Sequence, residues 1–320
     1  MNMRLNPIVK KDVKVQSRSM RICWGVFVYE AILALVFFLT MLSIQEGNRY
    51  SVTNIYSQMV WLYPVLAVTQ IVILGLVVPI RTASSISGEK ERQTFDIMMT
   101  TSMTPFSIVW GKVMTAVVQS MLYVAASMPV MALPFVIGGM PWSALFWFLA
   151  ITLLLSFFAA SIGILCSSFC RKTVSAVIFS YGFYFLFFVG TALPSVFVSI
   201  LSMNTGYLPV YSGGVSYSWW ENVLLFLLVN PAVYLTEFFM RIMTGESIVN
   251  TISSGRLSGT AQIGGPIRLV ATGNSWLIVS TVLLLAISFL FLLLAARRIN
   301  PMIKRRVKTH GRKKVSRRAA

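Results

Sequence analysis

The chain has 320 residues, of which 57% are hydrophobic and only 11% are charged, and its mean hydropathy is +0.77. Soluble domains carry about 25% charged residues, so an ordinary water-soluble enzyme is excluded, and the 13% aromatic content excludes intrinsic disorder. The 27 basic and 9 acidic residues give a net charge of +18, with the basic residues in short loops and at the chain ends. This distribution predicts an all-α polytopic membrane protein rather than a nucleic-acid-binding protein.

Residues 1–23 are predicted to form an amphipathic helix that lies in the membrane interface. Asn6 can cap this helix, and Pro7 suits its first position. Apolar residues recur near helical spacing, with lysines on the other face: Ile8, Val9, Val13 and Met20. Such a helix directs its lysines toward anionic lipid headgroups. The alternative is a basic anchor without a fixed helix.

Long stretches without charge locate the membrane spans within residues 24–296. The 58 residues from Val113 to Cys170 contain no Asp, Glu, Lys or Arg, which is enough for two helices of about 20 residues with a turn at Gly138 to Pro141. Small residues around Gly163 indicate a close contact between helices. Six spans are predicted: Trp24–Ile44, Gln58–Ile80, Ile108–Ile137, Ser143–Phe169, Val174–Leu201 and Ser275–Ala296.

The basic residues also predict the orientation. Twenty-three of the 27 lie in the alternate segments that include both termini, and the tail, 297–320, holds eleven. The positive-inside rule therefore places both termini in the cytoplasm and requires an even number of crossings. The apolar segment 222–243 is accordingly predicted to be an outer re-entrant hairpin rather than a seventh span. Asn230 and Pro231 would break it, and Glu237 and Arg241 would form an i,i+4 pair near its rim.

Catalytic and nucleotide-binding motifs are absent from the sequence. It contains no His-Glu-x-x-His, no Gly-x-Ser-x-Gly and no phosphate-binding Gly-x-x-x-x-Gly-Lys-[Ser/Thr] run. Cys23, Cys166 and Cys170 are interpreted as small packing residues rather than metal ligands. We therefore predict no metal site, no cofactor bound by this chain and no ATP hydrolysis by it. Glu30 and Gln70 are candidates for an intramembrane polar site, with interfacial ion pairing and helix–helix hydrogen bonding as alternatives.

The segment 84–104, between the second and third spans, mixes acidic and basic residues. A short helix here would carry an apolar side preceded by charged residues: Phe95, Met98 and Met99 after Glu89, Glu91 and Arg92. Methionine and phenylalanine make an adaptable docking surface, and carboxylates complement a basic partner. The alternative is a polar loop that folds back on its own protein. Thr104 and Pro105 are predicted to cap and begin the third helix.

The run from Ser87 to Thr104, followed by Ile108 to Lys112, closely resembles the cytoplasmic signature of the type-2 permeases of ATP-binding-cassette transporters. Gln93 stands where that family has a glycine, and the ending Ala295–Arg298 is also similar. The resemblance implies that segment 84–104 holds a coupling helix that docks on a separate ATPase subunit. The residues that match this motif are Glu89, Lys90, Glu91, Arg92, Thr94, Phe95, Asp96, Met98 and Met99.

The resemblance further implies a membrane permease, most simply an exporter, that lies in the cell membrane of a bacterium. Its partners would be an ATPase that binds ATP and magnesium, a second identical or related permease chain that completes the translocation pathway, and membrane lipid, but no nucleic acid. Two other interpretations stay open. The chain could be a membrane enzyme that modifies lipids, or a membrane anchor that recruits a cytosolic partner.

Overall fold

A computed structural model describes residues 19–47, 59–95, 104–138, 141–197, 225–245, 247 and 275–299. This part of the chain contains seven α-helices and no strand. The helices are α1 (Met20–Gly47), α2 (Leu62–Glu91), α3 (Pro105–Gly138), α4 (Trp142–Phe169), α5 (Thr173–Phe185), α6 (Pro231–Thr244) and α7 (Ser275–Ile299). A π-helical segment, Leu186–Gly190, continues α5.

Six helical stretches are long and apolar enough to cross a membrane: α1, α2, α3, α4, α7 and the 25-residue stretch Thr173–Phe197, which combines α5, the π-helical segment and the residues that follow it. With 14 residues, α6 is about 21 Å long at 1.5 Å per residue, whereas the hydrocarbon core measures about 30 Å. The described residues therefore confirm the prediction of six spanning helices. The predicted amphipathic segment up to residue 18, the motif residues 96–103 and the tail from residue 300 lie outside them.

Contacts at the two ends of α2 give the directions of the neighbouring helices. At the start of α2, the Tyr63 ring lies 4.9 Å from the Phe135 ring near the end of α3. Its hydroxyl also donates to the Ala144 carbonyl at the start of α4, over 3.1 Å. At the other end of α2, Lys90 contacts Ser168 at the end of α4. Thus α2 is antiparallel to α3 and parallel to α4. We call the end that carries Lys90 the basal end, and the end that carries Tyr63 the distal end.

The helix α4 lies at the centre of the bundle. It packs against α2, α3, α5 and α7, and its sequence contains no charged residue and is apolar on all sides, which is typical of a buried helix. By contrast, most of α1 and α5 is exposed, with large apolar side chains such as Phe38 and Ile178 on the surface. These surfaces suit contact with lipid, so the core of the bundle is built around α4.

A close approach between α2 and α4 holds the basal half of the core together. A Cβ atom added to Gly163 would lie only 1.9 Å from the Thr82 Oγ1, so no larger residue fits at position 163. One turn further, the Ser167 hydroxyl accepts hydrogen bonds from the backbone N–H groups of Ile86 and Ser87, over 3.0 and 2.8 Å. The small residues predicted to permit a helix contact therefore lie where α4 packs on α2.

The second helix extends well beyond the predicted span, which ends at Ile80. It continues to Glu91, although residues after Ile80 are much more polar. The reason is the packing on α4, because Gly163 and Ser167 hold the last turns of α2 in place. Hydropathy marks where the membrane ends, but it does not mark where this helix ends.

Candidate functional site at the basal end

Three consecutive residues in the last turn of α2 each contact a different helix. At 3.6 residues per turn, neighbouring side chains point about 100° apart around the helix axis, so Glu89, Lys90 and Glu91 diverge. Glu89 reaches α3, Lys90 reaches α4 and Glu91 reaches α5. We call these three residues, with their partners Lys112, Ser167, Ser168, Cys170 and Thr173, the basal clamp.

The first contact of the basal clamp is an ion pair between α2 and α3. The Lys112 Nζ lies 2.6 Å from the Glu89 Oε1, and the two side chains are 11% and 27% exposed. Lys112 follows the first residue of α3 by seven positions, so the pair lies two turns inside that helix. Partial burial limits screening by salt, so this pair couples the ends of α2 and α3 more firmly than a surface pair.

The second contact places a cation at the C-terminus of α4. The Lys90 Nζ donates to the carbonyl oxygens of Ser167, Ser168 and Cys170, over 3.1, 2.6 and 3.2 Å. The last carbonyls of a helix have no intrahelical partner and carry the negative end of the helix dipole. Lys90 therefore satisfies these carbonyls and stabilises the end of α4 electrostatically.

The third contact places an anion at the N-terminus of α5. The Glu91 Oε2 accepts hydrogen bonds from the Thr173 Oγ1, over 2.6 Å, and from the Thr173 backbone N–H, over 3.3 Å. The residue before α5, Lys172, makes no capping hydrogen bond through its side chain. Glu91 thus supplies, from another helix, the carboxylate that the positive end of a helix dipole favours.

The turn after the basal clamp has the geometry of a Schellman motif. The Gln93 N–H donates to the Lys90 carbonyl over 3.2 Å, and the Thr94 N–H donates to the Glu89 carbonyl over 3.0 Å. Gln93 has φ +60°, a left-handed conformation that favours glycine. The turn forms with glutamine at the position where the resembling permeases have glycine.

The structure separates the residues predicted to dock an ATPase into two groups. Glu89, Lys90 and Glu91 contact helices of their own chain, whereas Arg92 and Thr94 are exposed. Phe95 packs, partly buried, against the apolar cluster formed by α2, α3, α4 and α7. The remaining predicted residues, Asp96, Met98 and Met99, lie outside the described residues. ATPase docking by this segment stays a prediction.

No hydrogen bond or ion pair of the described residues joins the two polar residues predicted inside the membrane, so an intramembrane polar site stays a prediction. Gln70 is fully buried between α2 and α3, where its Oε1 accepts a hydrogen bond of 3.2 Å from Ser127. Glu30 lies on α1, and its buried Oε1 has no hydrogen-bond partner among the residues that the structure describes. Gln70 therefore acts as a hydrogen-bonding contact between helices, as the alternative interpretation predicted.

The segment predicted to be an outer hairpin contains a 3₁₀ turn at 225–229, followed by α6. The Asn230 Oδ1 caps α6 by accepting from the Ala232 N–H over 2.8 Å, and its Nδ2 donates to the Phe188 carbonyl in the π-helical segment over 2.8 Å. Pro231 is the first residue of α6. The predicted pair of Glu237 and Arg241 forms, with 2.6 Å between the Glu237 Oε1 and the Arg241 Nε, and Glu237 is fully buried.

Sequence reasoning missed the partners in the basal clamp. The third predicted span, Ile108–Ile137, contains Lys112, but no partner was assigned to it, although a single lysine in the otherwise apolar sequence of α3 is itself a signal for a specific contact. Ser167 and Thr173 carry no such signal, because serine and threonine are frequent in these helices. Their roles depend on which helices lie beside α2.

Six packed helices that are long and apolar enough to span a membrane define a multi-pass membrane protein. Its second helix leads into the motif-bearing turn, which is tied to the neighbouring helices at the basal end. The family model described as "ABC-2 family transporter protein" matches residues 37–297. The chain therefore belongs to the ABC-2 transporter family, the membrane permease components of ATP-binding-cassette transporters, which typically work with an ATPase subunit. No curated protein matches the chain.

Proposed function

We propose that this chain is an exporter permease that pairs with a second permease chain and is driven by a separate ATPase bound at the basal end. The observation that supports this proposal is the basal clamp. The segment that resembles a coupling helix leaves α2 directly after three residues that bind α3, α4 and α5. A displacement of that segment therefore reaches four helices at once.

We propose that the basal end faces the cytoplasm, where an ATPase would meet it. The connection between α4 and α5 contributes Arg171 and Lys172 to this end, and α7 contributes Arg297 and Arg298. The basic tail follows α7 in the sequence. A concentration of lysine and arginine beside the membrane is typical of the cytoplasmic side.

The exposed residues after the clamp form the proposed docking surface. Arg92 and Thr94 are exposed at the end of α2, and Arg92 makes no hydrogen bond or ion pair through its side chain with another described residue. Asp96, Met98 and Met99 follow them in the sequence and complete the motif. In this arrangement the exposed part contacts the ATPase, while the clamp holds the base of the segment on the helix bundle.

The clamp gives the proposed coupling a physical route. When two ATPase subunits bind ATP and close, they push on the segment that begins at Arg92. Because Lys90 and Glu91 hold the end of α4 and the start of α5, this push changes how these helices lie against α2. In a pair of permease chains, such a change reshapes the cleft between them. Outward transport is inferred from the family resemblance.

Reversing the charge of Arg92 tests the proposed docking surface. The full-length tagged chain is co-expressed with candidate ATP-binding-cassette ATPases from the same genome, and the ATPase that co-elutes with the wild-type chain is measured for each variant. We expect Arg92→Glu to lose most of the bound ATPase, because it places a carboxylate in a contact surface without disturbing the clamp. Glu91→Arg is a poorer test, since it also removes the contact with Thr173.

The matched control is Arg171→Glu, which reverses another exposed basal arginine in the connection between α4 and α5. This variant is expected to keep the ATPase. Wild-type amounts of ATPase on Arg92→Glu would contradict docking at this surface. An equal loss of bound ATPase from both variants would show that ATPase binding depends on the total positive charge of the basal end rather than on a specific contact with Arg92.

A further inference from the structure

A second polar cluster, distinct from the basal clamp, surrounds Arg81 of α2. Its Nη1 donates to the Gln119 Oε1 over 3.2 Å, and its Nη2 donates to the Tyr123 hydroxyl over 2.7 Å. Both partners lie on α3. A guanidinium has five N–H groups, so several donors remain after these two contacts. No described carboxylate forms an ion pair with Arg81, so its charge is not neutralised within the described part of the chain.

The lengths of α2 and α3 place this cluster at the edge of the hydrocarbon core. About 20 helical residues cross the core, and Arg81 is the twentieth residue of α2 counted from Leu62 at the distal end. On α3, Gln119 is the twentieth residue counted back from Gly138. Two helices of opposite direction therefore put the cluster at the level of the headgroups of the basal leaflet.

The helix α1 gives an independent measure of the same depth. A Cβ atom added to Gly25 would lie 2.7 Å from the Tyr123 hydroxyl oxygen and 3.8 Å from the Arg81 Nη2, so α1 passes directly beside the cluster at this residue. The neighbouring Trp24 is 64% exposed. Tryptophan on the surface of a spanning helix is enriched at the membrane–water interface.

Arg81 is partly buried, and its guanidinium lies over the Tyr123 ring, 5.3 Å from the ring centroid. The Arg81 Nε has no hydrogen-bond partner among the residues described, and it is not buried from the surface. The acidic residue nearest along α1, Glu30, follows Gly25 by five positions, about 7.5 Å further into the membrane. A partly exposed guanidinium that keeps free N–H donors, at headgroup depth and without a described carboxylate partner, suits a phosphate group.

We propose that Arg81 binds the phosphate group of an anionic phospholipid in the basal leaflet. Gln119 and Tyr123 are positioning residues, because they hold two nitrogens of the guanidinium and fix its plane for the lipid. The close passage of α1 at Gly25 forms one side of the site. This lipid site does not depend on the proposed export function, since it needs neither the ATPase nor the clamp.

The test measures lipid binding to the full-length chain in detergent after removal of native lipid. Phosphatidylglycerol is titrated, and the bound lipid is counted by native mass spectrometry. We expect Arg81→Gln to weaken binding about tenfold, which corresponds to roughly 1.4 kcal/mol and to the loss of one charge-assisted contact. Phosphatidylcholine is expected to bind the wild-type chain more weakly, because its choline cation is repelled by Arg81.

The matched control is Arg298→Gln at the basal end of α7. This arginine lies over the Phe169 ring at 5.2 Å and has no polar cradle in the described residues, so phosphatidylglycerol binding is expected to be unchanged. Wild-type affinity in Arg81→Gln, or an equal loss in Arg298→Gln, would overturn the proposal. Displacement of the lipid by inorganic phosphate at equal concentration would also overturn it, because the site would then bind a soluble anion.

A milder variant keeps the test decisive if Arg81→Gln does not fold. Tyr123→Phe retains the arginine and the aromatic ring but removes the hydroxyl that positions the Nη2. We expect a severalfold loss of phosphatidylglycerol binding with unchanged thermal stability in the absence of lipid. Unchanged lipid binding in this variant would show that the Arg81 guanidinium binds lipid without being positioned by the Tyr123 hydroxyl, which would contradict the proposal.

Discussion

The basal clamp and the helix α6 near the distal end both contain charged residues, but they use them differently. In the clamp, Glu89, Lys90 and Glu91 each bind a helix other than their own. In α6, the Glu237–Arg241 pair stays within one helix and is buried. At the distal end, the contacts between elements include ring packing and hydrogen bonds of uncharged groups, such as Phe239 against Tyr63 and Asn230 on the Phe188 carbonyl.

This difference indicates what each end contributes. Contacts between the ends of helices determine how those helices lie relative to one another, so loss of a clamp contact changes the arrangement of the bundle. The pair in α6 joins two positions of one helix, and its fully buried carboxylate lies in the core. We therefore expect variants in α6 to have the larger effect on stability, and variants in the clamp to have the larger effect on coupling between helices.

The largest expected effect is the loss of Arg241. Arg241→Met leaves the carboxylate of Glu237 fully buried without its cation, which is expected to cost about 3–5 kcal/mol. The double variant Glu237→Leu with Arg241→Met replaces the pair by apolar groups and is expected to recover most of this loss. Thermal unfolding in detergent measures both. A double variant as unstable as the single one would show that the pair has a role beyond charge compensation.

A smaller effect is expected from Lys90→Met in the clamp. It removes the cation from three carbonyls at the end of α4, and the free energy of unfolding is expected to fall by about 1.5–3 kcal/mol. Hydrogen exchange should increase at the end of α4 and leave α6 unchanged. Arg92→Gln, two residues away and exposed, is the control and should leave exchange unaltered. An equal increase in hydrogen exchange at the basal and distal ends of the Lys90→Met variant would contradict the distinction between the clamp and α6.

Features that depend on a few neighbouring residues could be predicted from the sequence. Long charge-free runs indicated six spans, because a spanning helix must be apolar over about 20 residues. The N-terminal caps of α3 and α6 could also be predicted, because each depends on residues within a few positions of the helix start. Thr104 accepts a hydrogen bond of 3.3 Å from the Ser107 N–H before α3, and Asn230 caps α6 with Pro231 at the first position.

The clamp could not be predicted, because its partners are far apart in the sequence. Glu89 and Lys112 are separated by 23 residues, and Lys90 and Ser168 by 78. A charged run beside a membrane can bind either a partner protein or other helices of its own chain. Only the packing of α2 on α4 determines which of these the charged residues contact. The same packing extends α2 beyond Ile80, where the apolar pattern ends.

The smallest expected effects concern two residues with a left-handed backbone conformation, one in each region. Gln93 after the clamp has φ +60°, and Gly245 at the end of α6 has φ +75°. Gln93→Gly removes the strain of a side chain in this conformation and is expected to stabilise the protein by about 1 kcal/mol, a rise of roughly 2 °C or less in Tm for a chain of this size.

The matched substitution at the distal end should act in the opposite direction. No atom lies within 4 Å of a Cβ added to Gly245, so Gly245→Ala meets no steric obstacle, and its cost of about 1 kcal/mol would come from the backbone alone. Opposite shifts in Tm would show that both turns hold the left-handed conformation in the folded protein. If Gln93→Gly lowers Tm, the glutamine side chain makes a stabilising contact at the basal end that outweighs its backbone strain.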